Sequence, residues 1–140
     1  MKRFQTRKFK LRIEGANCQF WLMMFADESA MHRYIGRVTG MKTPEDVGDG
    51  CCLCNKGSRD IIVCISRKHT NHFIIGHEAF HAATWYAKVN KRKFTRSKWM
   101  AIRNGWSDNV DEEEILADVC GSVICEIWNV ISRRFKVMEL

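Results

Sequence analysis

A single proline, Pro44, stands among 140 residues, and neither an internal repeat nor a low-complexity tract interrupts them. Nothing therefore marks a boundary, and one domain over residues 1–140 is expected. A chain of this length buries about two-thirds of its unfolded surface, enough for a core. No run of 18 apolar residues exists. That argues against a membrane-spanning helix, which needs about 20. The longest apolar stretch, Phe20 to Ala26, is only strand-sized. The opening MKRFQTRKFKLRIEG is charged and has no apolar segment of the kind a secretory signal carries. The seven cysteines are odd in number. Without a signal before them they point to a reducing compartment, the cytoplasm, with most thiols acting as small buried hydrophobes. Cys120 and Cys125 fit that role, because they fall in an apolar helical pattern.

Charge is present in excess of one sign. The net charge is +7 and is unevenly spread. Lys2, Arg3, Arg7, Lys8, Lys10 and Arg12 crowd the N-terminus, and a second basic cluster runs from Lys88 to Arg103 with no acid inside it. Such clusters are solvated faces in most proteins. They are also the feature through which a nucleic acid or an acidic partner would bind.

The pattern along the chain gives strands first and helices last. Lys8 to Ile13 alternates, with Phe9, Leu11 and Ile13 on one face, as in a half-buried strand. Glu14-Gly15-Ala16-Asn17 supplies a turn, and Cys18 to Phe25 reads as a more buried partner strand. Asp27 or Ser29 can cap a helix ending at Gly40, and Thr43-Pro44-Glu45-Asp46 starts one short helical turn. Cys51 to Cys54 and Ile61 to Ile65, around Asn55-Lys56-Gly57-Ser58, suggest a second hairpin. Helical spacing follows from about Asn71 to Val89, again over Phe94 to Arg103, and from Asp111 onward. In the last helix Ile115, Leu116, Val119, Val123, Ile127 and Ile131 recur on one side, and the acidic start suits the helix dipole. The expected class is α+β: a small, mostly N-terminal sheet packed on helices, the last of them long.

Within the first long helix, His77-Glu78-Ala79-Phe80-His81 is an H-E-x-x-H. Two histidines four residues apart on a helix lie within about 40° of each other, so both imidazoles can reach one ion. Glu78, the next residue round, can reach a water on that ion without ligating it. By composition alone the motif arises in roughly one chain in a hundred, but a chance match need not fall on a helix that follows a β-branched strand. A catalytic zinc needs a third protein ligand and an open position. No histidine follows His81, so the third ligand is an acid, a cysteine or an upstream histidine. The acids gather at Glu112-Glu113-Glu114. Glu114 shares a helical face with Asp118, four residues on, and a zinc-bound histidine commonly gives its second N–H to a carboxylate. Glu114 as ligand with Asp118 behind His77 meets both needs, with Glu113 as runner-up.

Glu114-Ile115-Leu116-Ala117-Asp118 reads E-x-x-A-D. Together with the H-E-x-x-H on an earlier helix it resembles the gluzincin pattern, and most of all the compact ImmA/IrrE-type peptidases and short phage-encoded zincin-like proteins. The resemblance spans roughly residues 61–131. It implies a minimal zincin-like domain with one catalytic Zn²⁺ held by His77, His81 and Glu114, and Glu78 as general base. It also implies hydrolysis of an intracellular protein substrate, in a host cytoplasm if the chain is phage-encoded. The alternatives are a weakly catalytic zinc-binding interaction or inhibitor protein, and a DNA-associated protease using its basic patches. The chain lacks the second domain of larger gluzincins, and no spacing selects an oxyanion-stabilising residue. Tyr34, His69, His72 and Arg103 are candidates, whereas Tyr86, about 180° round the helix from His77, should point away. Cys51, Cys52, Cys54 and Cys64, with His69, form a weaker second metal pattern.

Overall fold

A computed structural model describes residues 5–89 and 109–135, the side chains of 109–115 excepted. Apolar alternation sets the first hairpin. β1 (Arg7–Leu11) pairs antiparallel with β2 (Phe20–Phe25), Leu11 opposite Phe20. Both strands are shorter than the alternation suggests, because residues 12–19 are given to the connection, where Gly15 takes a φ of 78°. β3 (Gly50–Cys54) and β4 (Ile61–Ser66) form the second hairpin. Its turn is closed by Asn55, whose Oδ1 accepts the N–H groups of Gly57 and Ser58.

The two hairpins join through β2 and β4, which run parallel with Phe20 beside Ile61 and Phe25 beside Ser66. The sheet order is β1-β2-β4-β3. A parallel pair needs a crossover, and α1 (Glu28–Thr39) lies within it. Asp27 caps this helix by accepting the Ala30 N–H at 2.8 Å. Gly40 ends it with a φ of 74°, a left-handed conformation that glycine adopts without penalty. The 3-10 turn Pro44–Val47 follows, and here Thr43 gives its hydroxyl to Asp46 rather than capping the backbone.

Strand parity divides the core. On one face Met31 and Ile35 of α1 pack against Met23, Phe25 and Cys64. On the other, Leu22, Val63 and Ile65 meet α2 (His72–Val89) and α3 (Asn109–Arg134). α3 contributes Val123, Ile127 and Ile131, as its spacing predicts. The observed class is α+β, a four-stranded mixed sheet packed against helices with a long C-terminal helix. No described helix is long and apolar enough to cross a membrane. The helix expected over Phe94–Arg103 lies outside the described residues, as do Lys2, Arg3 and the basic cluster beyond Lys88.

The same parity answers the cysteine question. Cys51 and Cys64 belong to the α1 face, whereas Cys52 and Cys54 pack against the α2 face. A sheet lies between the two pairs, so the four thiols do not converge on one ion. Cys64 is buried and Cys120 half-buried, but Cys125 is exposed, a correction to the expected pattern. It sits between Val123 and Ile127 in sequence and therefore on the opposite side of α3. Burial pushes the Cys51 thiol from its ordinary value of about 9 up to about 11, and the Glu78 charge adds to this. Burial likewise raises Cys52 and Cys64. A thiol raised in the fold contributes full stability below its unfolded value and loses that contribution as the pH climbs toward the folded one. Thermal stability is therefore expected to fall from about pH 9 to about pH 11. Circular-dichroism melts across that window should show a shallower fall for a Cys51→Ala chain.

Candidate metal centre

Asn71 starts α2 by accepting the Ile74 N–H at 2.9 Å. From there the helix has a buried side, including Ile75, Ala79 and Ala82, and an exposed side. His77 and His81 stand on the exposed side. Their Nε2 atoms are 3.2 Å apart and the rings meet edge to face at 4.8 Å. Two zinc–nitrogen bonds of about 2.0–2.1 Å at a tetrahedral angle place their nitrogens about 3.3 Å apart. The separation of the pair matches that of two nitrogens on one shared ion. Phe73 stacks on His77 at 5.9 Å and Phe80 lies beside His81 at 6.5 Å. Both phenylalanines are largely exposed, so the imidazoles sit in an open aromatic strip.

Glu78 behaves differently. It is only 4% exposed and leans toward the start of β3. A Cβ added at Gly50 would come within 3.0 Å of both Glu78 Cγ and Oε2, and 3.1 Å from Ile74 Cγ2. Burial raises the Glu78 carboxyl above its ordinary range, and the neighbouring His77 lowers it in part. Among the described residues no third donor atom joins the His77–His81 pair within 4.8 Å, the Glu78 carboxylate included. Glu78 is therefore adjacent to the pair without being a ligand in this arrangement.

The remaining predicted residues are placed as follows. Glu114 belongs to α3, but its side chain, like that of Glu113, lies outside the described residues. Asp118 is exposed on α3 and forms no hydrogen bond with His77 among the described residues. Tyr86 does point away from the histidines. It is buried against Phe20, and its hydroxyl accepts the Asn17 backbone N–H at 3.3 Å. Tyr34 packs on Phe25, and His72 lies against Trp128 at 4.7 Å. Arg103 lies outside the described residues. His69 stands with Glu28 and Asp49, a grouping no motif announced. A groove of about 880 Å³, lined by Lys10, Arg12, Glu126 and Arg133 among others, shares no residue with the histidine pair.

Gly50 is the residue of this centre that motif reading passes over. Its signal was a glycine at the head of an apolar strand, which marks a close backbone approach. Gly50→Ala should cost about 1–3 kcal/mol, because an inserted methyl in a packed site forces its neighbours aside. Urea denaturation measures that loss, and an unchanged midpoint would show that Glu78 does not depend on the bare strand. The chain matches no family model, no curated protein and no solved structure.

Proposed function

We propose that this chain is a small zinc peptidase with a minimal zincin-like architecture, hydrolysing peptide bonds of a protein substrate in the cytoplasm. The observation that carries the reading is the His77–His81 nitrogen pair, 3.2 Å apart on one helical face beside the buried carboxylate of Glu78. His77 and His81 would hold the ion, and the E-x-x-A-D resemblance supplies Glu114 as the third ligand. Zinc bound there would act as a Lewis acid and bring the pKa of a water toward neutrality.

The chain's own groups account for the remaining steps. A carboxylate oxygen of Glu78 takes the proton of the attacking water and later delivers it to the leaving amine. Packing against Gly50 holds that carboxylate in place while the reaction proceeds. β3 is the edge of the sheet and has no outer partner strand among the described residues. An extended peptide can add to such an edge through backbone hydrogen bonds, and β3 begins at the residue that Glu78 touches. Phe73 and Phe80 offer apolar contact to side chains of a bound peptide.

One observation favours a second reading, a zinc-binding interaction protein with little turnover. Glu78 is almost wholly covered, whereas the histidines it would serve are exposed. Zinc content and cleavage of a peptide library separate the two. For the peptidase, Glu78→Gln retains zinc and loses about 10²–10⁴-fold in rate, the usual worth of general acid–base catalysis. His77→Ala should release the ion from this pair. Full activity in Glu78→Gln would remove Glu78 from the mechanism, and zinc binding without any cleavage by wild type would select the interaction protein.

A further inference from the structure

We infer that Glu28, Asp49 and His69 form a second metal site, which takes one divalent transition ion of the zinc or manganese type. Glu28 opens α1 just after β2, Asp49 precedes β3, and His69 closes the 3-10 turn that follows β4. β2 and β4 are parallel and β3 is antiparallel to β4, so all three residues come to one end of the sheet. One ligand atom from each lies within 4.8 Å of the other two. This group shares no residue with the His77–His81 pair, and it stands whether or not that pair is catalytic.

Three possible donor atoms face one another here. Glu28 Oε1 and Asp49 Oδ1 both approach the same nitrogen, His69 Nε2, the first in direct contact and the second at 3.8 Å. An imidazolium paired with two carboxylates would offer a separate N–H to each. Two oxygens instead face one nitrogen, and a cation can take the place of the proton that the imidazole would otherwise share with them.

A separate observation points to the same place. The Ser66 hydroxyl is fully buried and is the one buried side-chain oxygen or nitrogen without a hydrogen-bond partner among the described residues. Such groups are rare and costly. Strand parity turns Ser66 to the α1 face, with Ile62 and Cys64. One step beyond the Gly50–Ile65 pair, the ladder register sets Ser66 across from Asp49. The unpartnered hydroxyl and Asp49 thus share one face at the end of the sheet where an ion held by Glu28, Asp49 and His69 would stand. One imidazole with two carboxylates suits zinc or manganese better than calcium or magnesium, which take oxygen almost alone. The ion would tie the start of β3 to α1 one residue before Gly50, the residue against which Glu78 rests.

The test uses the full chain, stripped of metal, in a His77→Ala/His81→Ala background that lacks the first site. Titration with Zn²⁺ or Mn²⁺ should show one bound equivalent. His69→Ala or Asp49→Asn should weaken it by at least about 100-fold, the upper end of what loss of even an outer partner costs. Co²⁺ in the same chain should give no thiolate charge-transfer band. Absence of binding, unchanged binding in His69→Ala, preference for Ca²⁺ or Mg²⁺, or a thiolate band would each overturn the site. Should the double variant fail to fold, Mn²⁺ added to wild type should broaden the imidazole signals of His69 before those of His32. Equal broadening of the two would count against it.

Discussion

Helix α2 lies so close to the sheet that a Cβ on the first residue of β3 would stand 3.0 Å from the Glu78 side chain, and a neighbour would have to give way. This contact sets the height of the helix over β3 and β4, and the rest of the structure follows from it. Ile75, Ala79, Ala82 and Ala83 are the small and branched residues that let the helix sit this low. With that side committed to the core, the 3.6-residue period turns His77 and His81 outward and puts Glu78 on the flank. The histidine pair is thus a consequence of how the helix is seated. The arrangement holds because its apolar side is buried continuously, with Val123, Ile127 and Ile131 of α3 packed in the same cluster.

What could be read in the sequence was what is local. Caps at Asp27 and Asn71, the left-handed stop at Gly40 and the Asn55 turn are decided by residues within four positions of one another. Their chemistry is therefore visible in any short window. The parallel pairing of β2 with β4 was not legible, because it joins residues about forty positions apart and neither strand carries a mark naming its partner. The face on which each cysteine lies depends on that pairing too. A run such as Cys51-Cys52-Leu53-Cys54 resembles a metal-binding cluster until the sheet separates its members.

The candidate site divides along the same line. His77, Glu78 and His81 occupy one turn and a half of one helix, so spacing alone specifies their relation. Gly50 and the Glu28–Asp49–His69 group are assembled from separate elements. No spacing rule reaches across α1 or across the β3–β4 hairpin, and only the fold brings those residues together. The resemblance to gluzincins lies between these cases. It links two helices by motif, and the far end of that link, the Glu114 side chain, is outside the described residues.

Glu78 itself gives a reason to expect positive charge at the histidines. It is nearly covered, and burial raises its carboxyl above the ordinary range. Taking a carboxylate out of water without a partner costs on the order of several kcal/mol. A purely structural position would be better filled by an uncharged side chain of similar size, such as glutamine or methionine. The one charged neighbour that eases the penalty is His77, whose positive form favours the ionised carboxylate. A cation shared by His77 and His81 would do so more strongly, since it brings two charges to the same place. Burial thus weighs against the ionised form of Glu78, and on the zinc reading proposed above a metal would relieve that cost and couple occupation of the histidine pair to the α2–β3 contact. Glu78 packs against Gly50, so such a coupling would act through the packing that holds the helix on the sheet.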